Sequence, residues 1–478
     1  MHDRLLRSIT PLAHCGPAAP LRYEHAGAVA RFRFTSSCWF TPIRENLMNR
    51  RFLAVTMFLG MSCTTTSMAL AAEQWISFSN QQKTRITSTQ RLTPITIDES
   101  QAYADAAAGG LWLPLPDGRR VYAKTVSQST QDNQNWTFVG TIATDKQRVV
   151  ITFGRNAVFG SIPVGNNTSV RIVTQAGKLY VAERLPSNIV RDRLNSNGRT
   201  IESDYLIPPK QPVSEHDVQH SLALAKQAAR ATTPPVVDLL VGYTPGLVSQ
   251  LGSVDAVNTR INYLVAFTNQ AYSDSQVYGR LRLVGTQQVN YTDFNTDDAA
   301  LKEITDASGA SPLAALHSTR ETLGADLVAL LRPYRKEQAG CGMAWLNGYG
   351  LQSYNVNMSG LGYATSGDGS DEEDTGHCED NTLAHEIGHN LGLAHDKADT
   401  PGPGAFTYAY GWRQTLDEGS FNTIMAYTAD DQVSVPYFAN PRITLCNDNP
   451  CGDVNEADQT RALNITMPIA AGFRQTTQ

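Results

Sequence analysis

Residues 381–397 read NTLAHEIGHNLGLAHDK, three histidines and one glutamate within eleven positions. A helix turns once in about 3.6 residues, so His385 and His389 leave the same face and can hold one ion together. Glu386 follows the first histidine, close enough to reach a water on that ion without being a ligand. Gly392 can take a backbone conformation that other residues resist, letting the chain turn back and bring in His395. Three neutral imidazoles on Zn²⁺ leave a fourth place open, the arrangement of a catalytic rather than a structural zinc site. H-E-x-x-H alone often arises by chance, but H-E-x-x-H-x-x-G-x-x-H fixes five positions and should arise at random in roughly one chain in ten thousand of this size.

The segment resembles the metzincin zinc-peptidase signature, which also requires a methionine turn downstream; NTIMAYT, residues 422–428, supplies one. The resemblance implies that Met425 forms a hydrophobic floor under the metal. Tyr427 resembles the tyrosine of the astacin and serralysin branches, which binds zinc or swings to stabilise the transition state. Asp396, directly after the third histidine, resembles the reprolysin branch instead. VDLLVGYTP, GADLVALLR, CGMAWL, TLAHEIGHNLGLAHD, TIMAY, PYFANP and ADQTRALNITMPIAAGFR together are similar to the bacterial peptidyl-Asp metalloendopeptidases of the Asp-N type. That resemblance implies cleavage on the amino side of aspartate, and less readily of glutamate or oxidised cysteine. A monomer acting on polypeptides is expected, and the strand near CGMAWLNG resembles the metzincin edge strand that pairs with an extended substrate.

A carboxylate-selecting pocket calls for local positive charge. The resemblance places that pocket behind the zinc helix, with the segment after the methionine turn as its wall. Arg442 is the only basic residue between Met425 and Arg461. Its guanidinium can grip a carboxylate with two hydrogen bonds, so Arg442 is the expected selector, with Arg413 and then Lys397 behind it.

The 478-residue chain carries a net charge of −6, unevenly spread. From Val236 onward there are 13 Lys+Arg and 29 Asp+Glu, about −16, leaving about +10 before it. The halves attract each other, and the acidic half argues against a nucleic-acid partner. Residues 48–72, MNRRFLAVTMFLGMSCTTTSMALAA, read as a secretory signal peptide with an apolar run too short for a permanent anchor. No stable membrane insertion is expected. Residues 1–47 read as an extension upstream of the true initiator, Met48. Trimming leaves Cys341, Cys378, Cys446 and Cys451, four cysteines suited to two disulfides in an exported protein. Of three connectivities, proximity favours Cys446 with Cys451, leaving Cys341 with Cys378.

The expected fold is an α/β (α+β) metzincin-like catalytic domain over 236–478, with a twisted, mostly parallel sheet and a zinc-binding helix. It follows a β-rich propeptide over 73–208 and a helical linker over 209–235 that ends at Pro234-Pro235. The run DGSDEEDTGHCED, 368–380, reads as a solvated acidic loop before a helix; it leaves room for calcium but lacks EF-hand spacing. With no cysteine between Cys63 and Cys341, a propeptide that inhibits must use another ligand or cover the cleft. The function expected is a secreted zinc endopeptidase with one catalytic ion. The alternative is a non-catalytic, zinc-stabilised binding or adhesion protein, which would have no need of Glu386 as a base.

Overall fold

VVDLLVGY and LVALLRP are nearly continuous apolar runs, the pattern of strands buried on both faces of a parallel sheet. In the computed structural model they form β12 (Val236–Tyr243) and β14 (Leu327–Pro333), hydrogen-bonded to each other in parallel at the centre of a seven-stranded sheet. The structure describes residues 74–477 except 80–82, 132, 145–146, 166–167, 186–202, 211, 372–375, 417–418 and 429–431. The expected signal peptide over 48–72, the expected extension over 1–47, and Cys15, Cys38 and Cys63 lie outside the described residues.

Two sheets dominate. The first contains β1 (Ile76–Phe78), β2 (Arg85–Ile86), β3 (Gln90–Ile97), β4 (Gly110–Pro114), β5 (Arg120–Thr130), β6 (Trp136–Ile142), β7 (Arg148–Gly154), β8 (Ala157–Gly165), β9 (Thr168–Gln175) and β10 (Lys178–Arg184). Its order is β1-β3-β10-β9-β8-β7-β6-β5-β4, with β2 also on β3. Every described pairing is antiparallel. Helix α1 (Glu99–Ala108) joins β3 to β4, and Trp136 stacks on Phe153 at 4.1 Å within the core.

The second sheet runs β11-β15-β16-β14-β12-β13, with β17 on β16. Its other members are β11 (Tyr205–Leu206), β13 (Arg280–Gln288), β15 (Gly342–Trp345), β16 (Tyr363–Ser370) and β17 (His377–Cys378). β15 and β17 pair antiparallel with β16; the remaining described pairings are parallel. Strand β11 falls within 73–208, yet it belongs to this sheet and not to the first. The 209–235 stretch contributes α2 (Glu215–Ala228), capped by Ser214.

The amphipathic run after Ser253 is α4 (Val254–Asp274), which follows the short α3 (Pro245–Leu251). It buries Val257, Ile261, Leu264, Val265 and Thr268 and packs beneath both sheets, with Val150, Ala157 and Phe159 of the first sheet in its core. Helix α5 (Asp297–Thr305) packs on β15 and β16, and α6 (Ala314–Leu323) packs on β12, β13 and β14. Helix α7 (Thr382–Asn390) packs on β15, β16 and α4, and α8 (Gln459–Ala470) closes the domain. Strands β18 (Arg413–Gln414), β19 (Phe421–Asn422) and β20 (Val433–Ser434) make a small third sheet below the methionine turn. Disulfides join Cys341 to Cys378 and Cys446 to Cys451. No described helix is long and apolar enough to cross a membrane.

Candidate active site

Every residue of α7 is buried, because the helix lies between the sheet edge and the methionine turn. His385 and His389 project from one face with ring centroids 4.9 Å apart. The chain leaves the helix through Gly392, at φ +86°, where a β-carbon would stand 2.8 Å from the Ala405 β-carbon. Ala394 then donates to the Ala409 carbonyl, and Gly411 donates back to the Ala394 and His395 carbonyls, fixing His395. Its Nε2 lies 3.1 Å from that of His385 and 3.0 Å from that of His389.

These nitrogens are arranged for a cation. Nδ1 of His385 lies 2.7 Å from the Ile424 carbonyl and Nδ1 of His389 lies 2.9 Å from the Leu393 carbonyl. A carbonyl only accepts, so each Nδ1 carries the proton and each Nε2 turns a lone pair into the cluster. Lone pairs so close repel unless a positive charge lies among them. Burial pushes the His389 imidazole down and His395 down to about 3, so these rings resist supplying that charge by protonation.

A fourth donor completes the set. A carboxylate of Asp204, just before β11, lies 2.7 Å from Nε2 of His395, 3.3 Å from that of His389 and 3.2 Å from that of His385. Burial works against a charge here, so the carboxylate, like the imidazole lone pairs, calls for a cation among these groups. Three imidazoles and a carboxylate suit zinc, so the donor set fits the ion. The sequence around Asp204, ESDY, carries no motif; the lack of a cysteine between Cys63 and Cys341 left open another ligand or a covered cleft.

Glu386 is buried beside the cluster and lines a polar cleft with Gly342, Asn381, Thr382, Asn422 and Thr428. A β-carbon on Gly342 would meet a Glu386 carboxylate oxygen, so glycine in β15 makes room for the acid. Met425 lies under α7, where a β-carbon on Gly388 would stand 2.4 Å from its sulfur. The Tyr427 ring lies 4.0 Å from His395, and its hydroxyl accepts the Asp204 N–H at 3.4 Å.

Residues 233–457 match the metallopeptidase family M12B reprolysin-like model. That stretch, just under half of the chain, is similar to the reprolysin-like metallopeptidases. The chain is similar to a peptidyl-Asp metalloendopeptidase of Pseudomonas aeruginosa, 33% identical over 54% of this chain and 43% of that protein. Proteins of the same name from Stenotrophomonas maltophilia (28% identical, 64% of this chain, 69% of the relative) and Xanthomonas campestris pv. campestris (26%, 64% and 68%) also match. The chain thus spans less than half the length of the first relative and about two thirds of the others.

The basic residues expected to select aspartate are each paired with an acid of the same half. Arg442 gives both guanidinium nitrogens to Asp458, at 2.5 and 2.7 Å, and Asp458 in turn caps α8. The Arg442 guanidinium is thus already matched by a carboxylate, and Arg442 is not among the residues that line the cleft beside Glu386. Arg413 bridges Asp396 at 3.1 Å and Asp399 at 2.8 Å, bracing the segment after His395, and Lys397 pairs with Glu456. Two acids of the 368–380 run, Asp368 and Asp380, are bound by the buried Arg260, so they serve as ion-pair partners.

Proposed function

We propose that the chain is an exported zinc endopeptidase, made with an N-terminal propeptide, that cuts polypeptides on the amino side of aspartate. The convergence of the His385, His389 and His395 lone pairs beside Glu386 carries this reading. His385, His389 and His395 would hold one zinc ion. When bound, zinc supplies positive charge that polarises the peptide carbonyl and acidifies a nearby water. The Glu386 carboxylate takes the proton from the attacking water and returns it to the leaving amine. The Tyr427 hydroxyl, at the cluster's rim, donates to the oxygen on which charge develops. The aspartate preference rests on the names of the relatives. Export rests on the signal-like segment and on disulfides that persist in oxidising compartments.

The binding-protein alternative draws support from Asp204, because four protein donors resemble a closed, structural zinc site. Digestion separates the two. A denatured proteome is treated with the purified, activated protein, with Glu386→Ala as the blank. Cuts preceding aspartate are expected. Cuts without an acidic residue on the amine side would remove the aspartate reading, and no cuts at all would favour the binding protein.

A further inference from the structure

We infer that residues 203–206 are a built-in plug in which the Asp204 carboxylate takes the fourth donor place on the metal, so that the precursor is held latent by a carboxylate rather than a thiolate. The inference deepens the peptidase reading and rests on it. Asp204 reaches the cluster from 185 residues before His389. Its neighbours occupy the rest of the site. The Asp204 carbonyl accepts from the Ala344 N–H at 3.1 Å, and the Leu206 carbonyl accepts from the Leu346 N–H at 3.0 Å. β11 thus covers the edge of β15, where an extended peptide would add by the same hydrogen bonds. The Tyr205 ring lies 5.3 Å from both His389 and His395 and 6.0 Å from Tyr349. Asp204 N–H engages the Tyr427 hydroxyl.

The plug is also built to resist its own hydrolysis. A peptide is cut when its carbonyl reaches the reacting centre, but the Asp204 carbonyl is turned to Ala344, and only the side chain faces the imidazoles. The first sheet anchors the segment. Arg148 pairs with Asp274, Arg171 with Asp380 and Arg184 with Glu379, and the Ala176 and Gly177 N–H groups donate to the Gln250 and Leu251 carbonyls. While the chain is whole, Asp204 acts at the high effective concentration of a tethered ligand. Cutting the 207–235 connection makes it a separate molecule that dilutes away.

The test uses the full chain carrying Glu386→Gln to prevent self-cleavage, loaded with Co²⁺ and titrated with acetohydroxamate, the cobalt d–d absorption being read. Metal content is measured on every sample. With Asp204 present, the absorption midpoint should lie at least about tenfold higher than in the Asp204→Ala or Asp204→Asn chain, the ratio for a place about nine-tenths occupied. Equal midpoints overturn the plug. If neither substituted chain folds by circular dichroism, the Asp204 chain decides alone: a spectrum altered by one equivalent of acetohydroxamate overturns the plug, and an unaltered one supports it. A chain that binds no cobalt or zinc defeats the peptidase reading instead, so the two failures are distinct.

Discussion

Gly342 and Glu386 approach so closely that a β-carbon on the glycine would stand 2.6 Å from a carboxylate oxygen of the glutamate. The same β-carbon would lie 2.6 Å from the Thr365 carbonyl, a backbone atom that cannot swing aside. Gly342→Ala should therefore displace either β15 or the Glu386 side chain. The expected result is a strong loss of peptidase activity with about 1–3 kcal/mol of destabilisation, read by denaturant unfolding. Unchanged kcat/KM would mean that the glutamate has slack the structure does not suggest.

Glu386→Gln keeps the shape of the side chain and removes its basicity. Peptidase activity should fall by about a hundred- to ten-thousandfold, while zinc content, measured by atomic absorption, stays at that of the parent. Loss of zinc along with activity would make Glu386 part of the metal's support instead.

The two disulfides should differ in weight. Cys341–Cys378 closes a loop of 37 residues and ties β15 to the segment leading into α7, whereas Cys446–Cys451 spans five. Chain entropy alone gives about 4 kcal/mol for the first and about 2 for the second. Replacing the first pair with serines should lower the melting temperature more than replacing the second, a ranking that calorimetry can reverse or uphold.

Arg442→Ala should have nearly the same effect on an aspartate-containing peptide as on a neutral one, because the guanidinium is held by Asp458. Because the buried Asp458 carboxylate loses its partner, stability should fall by about 1–3 kcal/mol, read by denaturant unfolding. A selective loss on the aspartate peptide would restore Arg442 as selector.

Asp326 is buried and receives the Asp238 and Arg474 N–H groups; burial, reinforced by Asp238, pushes its carboxyl up to about 7. Its folded value lies above the unfolded value of about 4, so the folded state binds the extra proton between them. This contribution is fully present below about 4 and is lost as the pH rises through about 7. Asp326→Asn, an isosteric neutral group, should flatten that part of the stability-against-pH curve. An identical slope in both chains would assign the effect elsewhere.

Part of the fold was legible because its signals are local. Strands β12 and β14 announced themselves as unbroken apolar runs, and α4 by the spacing from Val257 to Thr268. In the first sheet, strands from Trp136 onward were readable, whereas β5 was not. One side of RVYAKTVSQST faces water, and its mixed polar pattern resembles a loop. Helix α1, ESQAYADAAA, was missed because only Ala102 and Ala106 are buried and the segment has little apolar contrast.

The sequence by itself picked out the candidate metal ligands. His385, Glu386 and His389 are tied by helical periodicity, Gly392 permits the turn, and His395 follows at a distance the turn dictates. It also determined that the two halves carry opposite charge. Tertiary structure alone decided which charges meet. Asp458 claimed Arg442 across 16 residues, and Asp204 reached the imidazoles because β11 crosses from the first sheet's segment to the edge of the second. Helix geometry acts over a few residues and leaves a pattern in sequence. A carboxylate brought from 185 residues away is placed by the packing of whole sheets, which leaves no spacing to read.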